Sequence, residues 1–455
     1  MKQEANPLGF ENINKLIIKY SIPSILALLV GAVYNIVDQI FIGQIMGTTA
    51  MAATNVAFPL TPIAISMALL FGIGGASNYN LFSGQKKVKE ANEVVGDSLS
   101  LMMLSGIIIG VLTFFFAKDM LYFFGATDAI MEYALPYTRI IAIGLPMMLF
   151  STGGANIVRA DGSPTYSMIA MMSGALFNII FDPIFMIVFN LGIEGAALAT
   201  TLGQAITFLM LMYYFVKKTK SIKLDKSVFK IQFRYVKIIA ALGMASCFNQ
   251  LAMTVAQIVM NNSLRYWGSL SVYGSEIPIA VVGVITKLNM IFMAFAIGLS
   301  QGTQPIYGYN YGAKNYERVQ QTLKKAIKIV LAISITFFLL FQVFTSQIIG
   351  IFGQGSAEYN ELATKFMRIF MFMTCVNGLL PVCSNFYTSI GKAAIGLWVS
   401  LTRQIIFLIP LIIIIPMSFG IDGIVYAGPI ADGMAFALTI YFIVKEWKEL
   451  NVLKK

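Results

Sequence analysis

The first long apolar run of the chain holds a cluster of polar residues in the stretch Tyr34-Asn-Ile-Val-Asp-Gln-Ile-Phe-Ile-Gly43. An ionised carboxylate in hydrocarbon is costly, so Asp38 is a functional-site candidate. A second such stretch, Asn178-Ile-Ile-Phe-Asp182-Pro183, lies deep in a later apolar run. The spacing within each stretch places its Asn and its Asp on one face of a helix. The rest of the chain is interpreted as the frame that brings these two faces together.

Composition places the chain in a membrane. Hydrophobic residues make up 58% of it and charged residues 12%, with a mean hydropathy of +0.77, whereas soluble domains carry about 25% charged residues. The sequence has no histidine and three cysteines, and the cysteines lack metal-type spacing. Ser-His and Cys-His catalysis are therefore excluded, and we predict an integral membrane protein that is not an enzyme.

Apolar runs of about 20 residues or more are long enough to cross a bilayer as helices. We count twelve, which predicts an all-α membrane protein. The continuity of these apolar runs excludes a β-barrel, whose short strands would alternate apolar and polar residues. The predicted spans are 14–42, 54–81, 93–117, 133–157, 164–189, 195–216, 236–264, 278–306, 317–343, 359–386, 393–417 and 422–445.

The basic residues set the predicted orientation. Most of the 32 Lys and Arg residues fall at the two ends of the chain and in every second connection. Because positive charge accumulates on the cytoplasmic side, both termini are predicted to be cytoplasmic.

The chain divides into two similar halves. We predict an N-terminal six-helix bundle over 1–216, a basic cytoplasmic linker over 217–235 and a C-terminal six-helix bundle over 236–455. Motifs of the first half recur about 228 residues later in the second half. Repeats of six spans each are related by an axis along the membrane normal. Two bundles flanking a central cleft, with alternating access, are therefore expected. The matched motifs are Phe124-Gly125 with Phe352-Gly353, Gly192-Ile-Glu-Gly195 with Gly420-Ile-Asp-Gly423, and the loop from Gly84 with the loop from Gly312.

The polar residues of the first bundle are predicted to lie at one depth, in the outer halves of their spans. Two acids in a low-dielectric pocket cannot both stay charged without a cation, so a proton or a metal cation such as Na⁺ is expected between Asp38 and Asp182. Asn178 and Thr200 complete the predicted site, and Pro183 frees a backbone carbonyl beside it. The alternative is a static hydrogen-bonded pair that only fixes helix packing.

The second bundle carries buried charges but no paired acids. They are Lys287, Arg403 and Asp432. Lys287 either lines the cleft, where it would contact substrate, or neutralises Asp432. The cation site is therefore predicted in the N-terminal half only.

Taken together, these residues resemble the multidrug and toxic compound extrusion (MATE) transporters, in particular the DinF-like and MepA-like branch. The resemblance covers nearly the whole chain. It rests on Asp38 in its Val-Asp-Gln-Ile-Phe-Ile-Gly context, on the run from Gly153 to Pro164, on Asn178 with Asp182-Pro183, on the run from Gly298 to Pro305, and on the equal halves.

The resemblance implies an antiporter in a bacterial plasma membrane that exports organic, often cationic drugs against inward H⁺ or Na⁺. It implies that Asp38, Asn178, Asp182 and Thr200 form the N-lobe cation site and that Pro23 bends the first helix. Asn156 and Met171 match positions that line the drug chamber. Tyr34 and Asn35, beside Asp38, and Lys287 are further candidates for lining the substrate path.

Other functions remain as alternatives. A flippase for a lipid-linked precursor would need a wide basic cleft, for which Lys287 and Arg403 are the candidates. A nucleotide-driven pump is excluded because the chain has no phosphate-binding Gly-Lys-Ser/Thr loop. We expect no cofactor besides the coupling ion H⁺ or Na⁺, no nucleic acid, contact with membrane lipid, and a monomer.

Overall fold

A computed structural model describes residues 6–224, 231–351 and 356–454, and within these ranges the chain is helical with short connections and no strand. A backbone in hydrocarbon must satisfy its own polar groups, which long apolar helices do. The first half, which we call the N-lobe, comprises α1 Ile13–Ala57, α2 Leu60–Gly84, α3 Val88–Phe123, α4 Asp128–Ala160, α5 Pro164–Pro183 and α6 Gly192–Tyr213.

The second half, the C-lobe, is more interrupted. Its helices are α7 Phe233–Ser269, α8 Glu276–Gly312, α9 Tyr316–Val343, α10 Thr345–Ile351, α11 Ala357–Lys365, α12 Thr374–Asn377, α13 Leu379–Ser389, α14 Ala393–Leu401, α15 Ile409–Ile414, α16 Pro416–Phe419 and α17 Ile421–Leu453. Wider π-helical turns occupy Ile184–Val188, Tyr214–Lys218, Phe366–Phe370 and Thr402–Leu408.

The described residues contain eleven helices long and apolar enough to cross a membrane. A helix pair, Ala357–Phe370 and Thr374–Ser389, is also long and apolar enough when taken together, is bent by 42° at a short break, and makes twelve spans if it counts as one. This pair occupies the tenth predicted span. The all-α prediction with twelve spans is thus confirmed, and the break in span ten is a feature that hydropathy did not reveal.

The repeat is visible in the backbone as well as in the sequence. Left-handed residues recur at matching positions of the two halves, and their φ angles agree within a few degrees. The pairs are Lys86 (62°) with Lys314 (57°), Gly162 (84°) with Gly391 (85°), and Gly192 (55°) with Gly420 (59°). The same turns therefore connect equivalent helices in both lobes. One predicted match, Phe352-Gly353, lies outside the described residues.

The two ends of the chain meet on one side of the molecule, which we call the terminal face. Arg318, at the start of α9, donates from Nη2 to the carbonyl oxygen of Glu11 over 2.6 Å. Lys454, after α17, lies 3.8 Å from Glu317. The N-terminal segment thus belongs to the first half but is held by the second.

The lobes pack against each other near the terminal face, along α1 with α8 and α2 with α7. Glycine permits this approach. A Cβ on Gly243 would collide with the Leu70 backbone, and one on Gly302 would collide with Ser21. Since these are contacts with backbone atoms, a larger residue at either glycine would push the lobes apart.

Hydrogen bonds reinforce the same seam. Gln304 on α8 donates from Nε2 to Ser77 Oγ over 2.9 Å, and Asn78 donates from Nδ2 to the Ile238 carbonyl over 3.0 Å. These bonds join α2 of the N-lobe to α8 and α7 of the C-lobe. The structure therefore shows the conformation in which the lobes are closed at the terminal face.

The segment after α6 is anchored to the N-lobe by one buried carboxylate, Asp161. This carboxylate accepts the backbone N–H groups of three consecutive residues of the predicted linker, Lys220, Ser221 and Ile222, over 2.7–3.1 Å. It also accepts the hydroxyl groups of Tyr79 and Tyr214. Asp161 thus accepts most of the hydrogen bonds that hold the described part of the linker to the N-lobe, and Asn92 adds one by accepting the backbone N–H of Lys223 over 3.0 Å.

Candidate functional site

Three N-lobe helices, α1, α5 and α6, bring the four predicted cation-site residues together. Asp182 is fully buried and Asn178 is 2% exposed. Asn178 donates from Nδ2 to Asp182 Oδ1 over 3.4 Å and to Thr200 Oγ1 over 3.1 Å. The carboxyl group of Asp38 faces that of Asp182 within hydrogen-bonding reach. Side chains from distant parts of the sequence thus form one polar cluster.

Three oxygen atoms of this cluster are buried and accept no hydrogen bond. They are Oδ1 of Asp38, Oδ1 of Asn178 and Oδ2 of Asp182. An unsatisfied buried acceptor costs about 1–3 kcal/mol, and more when it is charged. Two adjacent carboxyl groups also cannot both remain ionised without a compensating cation. A proton or a cation in this cluster would compensate both the paired acids and the unsatisfied acceptors.

The chemistry of the donors limits which cation fits. The side-chain ligands available are all oxygens: two carboxylates, an amide and a hydroxyl. The described residues contain no group of three or more His, Cys, Asp or Glu side chains that could hold a metal ion. Hard cations prefer oxygen ligands, whereas transition metals favour nitrogen and sulfur. The donor set suits a proton or Na⁺.

Local sequence explains the placement of the α5 residues. Pro183 ends α5 and has no N–H, which leaves the Ile179 carbonyl without its helical partner, and a π-helical turn follows at Ile184–Val188. Elsewhere along the contact between α5 and α6, Gly174 and Gly203 let the backbones of the two helices touch. This close approach sets Asn178 against the helix that carries Thr200.

Sequence reasoning missed one residue of the site, Tyr137 on α4. Its hydroxyl group lies close to both Asp38 and Asp182. Tyr34, which was predicted, also lies near both acids and pairs with Asn35. Asn35 itself is exposed and donates to the Gly31 carbonyl over 2.8 Å. The available signal for Tyr137 was a tyrosine beside Pro136 within an apolar span.

A cavity of about 510 Å³ lies beyond this cluster, on the side away from the terminal face. It is lined by residues of α1, α4 and α6 and by the π-helical turn that follows α5. The lining residues are one or two helical turns farther out and include Met46, Glu132, Tyr133, Met186 and Glu194. Glu132 and Glu194 are exposed. Two further carboxylates, those of Glu132 and Glu194, therefore line a cavity on the outer side of the paired acids.

The structure places the remaining N-lobe candidates away from the cluster. Asn156 is only 3% exposed, and its Oδ1 accepts from Arg159 over 2.6 Å, so in this conformation it supports a buried arginine and does not face an open chamber. Met171 packs on a hydrophobic core cluster of the N-lobe. Pro23 is buried in α1 beside the seam with α8.

In the C-lobe, Arg403 is the residue that neutralises Asp432. Its Nε donates to Asp432 Oδ1, and Asn377 donates from Nδ2 to Oδ2 of the same carboxylate over 3.4 Å. The alternative in which Lys287 pairs with Asp432 is therefore wrong. The reason is packing: the π-helical turn that carries Arg403 lies against α17. Lys287 is partly buried on α8.

Comparison with known proteins gives consistent matches. The family model described as MatE matches residues 23–184 and 245–414. The multidrug export protein MepA of Staphylococcus haemolyticus is 24% identical over 443 residues, which covers 97% of this chain and 96% of that protein. The MepA of Staphylococcus aureus strain N315 is 23% identical over 437 residues, covering 95% and 94% of the two chains.

Solved structures agree in fold. One, described as the MATE multidrug transporter DinF-BH in a ligand complex, is 34% identical, with a TM-score of 0.89 and 98% of each chain covered. Another, described as the outward-facing conformation of a multidrug resistance MATE family transporter, is 24% identical, with a TM-score of 0.90 and 100% and 99% of the two chains covered. The predicted fold class is confirmed by these matches.

Proposed function

Since the chain belongs to the MATE family, and is thus a transporter and not an enzyme, we propose that it is a cation-coupled multidrug antiporter. It exports amphipathic, often cationic organic compounds by alternating access. The export of drugs is supported by the function in the names of its relatives. Coupling to a cation is supported by the geometry of this chain's own residues.

The observation that carries the proposal is the paired acid. Asp38 and Asp182 face each other in a buried cluster, and three oxygens of that cluster lack a hydrogen-bond donor. A static packing contact would satisfy these oxygens, because buried polar groups in native structures are usually paired. Orphaned acceptors beside two carboxyl groups instead fit a site that gains and loses a cation during the working cycle.

The proposed cycle starts from the conformation closed at the terminal face. H⁺ or Na⁺ enters from the opposite side, past Glu132 and Glu194, and neutralises the pair formed by Asp38 and Asp182. The drug is released to that side. The lobes then rock, the cation leaves toward the terminal face, and the site can accept the next drug molecule. A ligand drives such a change only through different affinities for the two states.

We further propose that the terminal face is cytoplasmic in a bacterial plasma membrane and that the protein works as a monomer. Basic residues are concentrated at that face, as the positive-inside rule requires. Asp38, Asn178, Asp182 and Thr200 bind the coupling ion, while Tyr34, Asn35 and Lys287 contact substrate, and Asn156 and Met171 join the substrate path only after a conformational change. A change in the bend of α1 at Pro23 would move Asp38 relative to Asp182.

The direct test uses the purified protein in liposomes loaded with ethidium. A Na⁺ gradient and a pH gradient are imposed separately on the wild type, Asp38→Asn and Asp119→Asn. Asp119 is an exposed acid on α3 and serves as the matched control. Dye movement driven by one gradient, lost in Asp38→Asn and kept in Asp119→Asn, supports the proposal and identifies the ion.

The test also discriminates the flippase alternative. That function needs free positive charge in the cleft, whereas the guanidinium of Arg403 is already paired with Asp432. If neither gradient moves dye, and Asp38→Asn behaves as the wild type, the antiporter proposal fails. Movement of a fluorescent lipid-linked anion between leaflets would then be the next measurement.

A further inference from the structure

The C-lobe contains a second buried Asn–Asp contact, in which Asn377 of α12 reaches Asp432 of α17, whereas Asn178 and Asp182 share α5. Asn377 donates from Nδ2 to Asp432 over 3.4 Å, as Asn178 does to Asp182 over 3.4 Å. In both pairs the Oδ1 atom of the asparagine is buried and accepts no hydrogen bond. An amide–carboxylate contact whose asparagine Oδ1 is unsatisfied is thus found in the described part of each lobe.

Prolines and π-helical turns lie close to both pairs, although at different positions relative to the carboxylates. In the N-lobe, Pro183 and the π-helical turn Ile184–Val188 follow Asp182 directly. In the C-lobe, Pro429 precedes Asp432 within α17, and a π-helical turn at Thr402–Leu408 supplies Arg403. Interrupted helices inside a membrane leave backbone carbonyls free and are tolerated where protein groups or a cavity receive them. Both lobes therefore keep the backbone features of a polar site.

The two sites differ in their second charged group. The N-lobe pair faces another acid, Asp38, whereas the C-lobe pair faces Arg403, whose Nε donates to Asp432. The side chains of Arg403 and Asp432 are 13% and 5% exposed. Arginine keeps its charge under all ordinary conditions. The fully ionised N-lobe cluster carries two negative charges, while the C-lobe cluster is neutral without any added ion.

We propose that Arg403 is the resident cation of a second acid site and that it restricts cation coupling to the N-lobe. Its guanidinium supplies beside Asp432 the positive charge that the proposed coupling ion supplies beside Asp182. The proposal rests on the proposed function of the N-lobe cluster. Without Arg403, the buried carboxylate of Asp432 has to take up a proton or a cation. Arg403 is thus a specificity-determining residue for the number of coupling ions.

The experiment measures the melting temperature in detergent, where transport is not required. The parent is Asp38→Asn/Asp182→Asn, in which the N-lobe site cannot respond to cations. Arg403→Gln, Arg403→Lys and Arg403→Gln/Asp432→Asn are added to this parent. Each protein is melted at low and high Na⁺, with choline keeping the ionic strength constant, and at acidic and neutral pH.

The proposal predicts that, once Arg403→Gln is added to the parent, its melting temperature rises by several degrees when Na⁺ is added or the pH is lowered. Arg403→Lys, which keeps the charge, and Arg403→Gln/Asp432→Asn, which removes both charges, do not show this shift. Ligand-dependent stabilisation of this kind measures binding directly. If the Arg403→Gln protein folds only at high Na⁺ or low pH, this also supports the proposal.

Two outcomes would overturn it. One is an Arg403→Gln protein whose melting responds to cations no more than its parent. The other is an Arg403→Gln protein that fails to fold under every cation condition while Arg403→Gln/Asp432→Asn folds. Failure of the proposed N-lobe function is separately visible, because the wild type and the Asp38→Asn/Asp182→Asn parent would then respond equally to cations.

Discussion

Asn178 Nδ2 donates to Thr200 Oγ1 over 3.1 Å and thereby joins α5 to α6 beside the carboxyl group of Asp182. The same amide group also reaches Asp182. Its donor capacity is thus used to hold the site, while its Oδ1 atom remains free for a cation. The hydroxyl group of Thr200 therefore holds the side chain of Asn178 in place, in addition to being a candidate cation ligand itself.

This relationship predicts that Thr200→Val weakens cation binding without abolishing transport. A hydrogen bond contributes about 0.5–1.5 kcal/mol, so we expect the KM for the coupling cation to rise about 2–10-fold with little change in maximal rate. The measurement is dye efflux against cation concentration. Thr201→Val is the control, since Thr201 donates to the Ile140 carbonyl over 3.3 Å. Equal effects of both substitutions would contradict the role given to Thr200.

The acids of the outer cavity are predicted to attract the coupling cation. Glu132→Gln/Glu194→Gln should raise the KM for the external cation about threefold at low ionic strength. The reason is that negative charges around an entrance raise the local concentration of cations. Added salt should reduce the difference, since the screening length falls to about 10 Å at 0.1 M. Glu276→Gln changes an exposed acid at the start of α8 and should have no effect. A KM that is unchanged at low salt argues against this route.

The close packing of the lobes at the terminal face predicts that substituting two glycines of α8 has different effects on the distance between the lobes. Gly302→Leu should open the seam, because its side chain would collide with the backbone of Ser21. Gly283 has open space at the position of its Cβ, so Gly283→Leu is the control on the same helix. Spin labels placed across the seam measure the distance between the lobes. A wild-type distance distribution in Gly302→Leu would show that the seam tolerates the added volume.

The anchoring of the linker predicts that Asp161→Ala releases the segment after α6. Five hydrogen bonds end on this carboxylate, and its loss leaves buried donors unpaired at about 1–3 kcal/mol each. We expect trypsin to cleave after Lys220 or Lys223 about tenfold faster or more, in keeping with about 1.4 kcal/mol of lost protection. Asp119→Ala, at an exposed acid, should cleave like the wild type, and equal rates in all three proteins would refute the anchor.

Much of the N-lobe site was accessible from the sequence. Asp38 and Asp182 were recognisable because a carboxylate within an apolar span is costly and rarely accidental. Asn178 followed from its helical spacing to Asp182, and Thr200 from its depth in the next span. Each of these inferences uses distance along one helix or depth in the bilayer, and both quantities can be counted along a chain.

Contacts between side chains of different helices could not be inferred by counting residues along the chain. From the sequence, Lys287 was the candidate to neutralise Asp432, whereas the packing of the Thr402–Leu408 turn on α17 brings Arg403 to this carboxylate. Tyr137 was missed because its span offers several faces and the sequence does not say which one is turned toward α1. Asn156 matched a chamber-lining position, yet the fold turns its amide to Arg159.

The sequence alone therefore determined the membrane class, the twelve apolar spans, the repeat and the presence of buried acids. All of these follow from hydropathy, length and recurrence, which are properties of the chain before it folds. Only the tertiary structure decided which charges meet, because helix rotation and close approach depend on packing between segments distant in sequence. The acid of the N-lobe meets a second acid, and the acid of the C-lobe meets an arginine. On the proposed function, that difference separates a site that takes up a cation from one whose carboxylate is already paired with a positive charge.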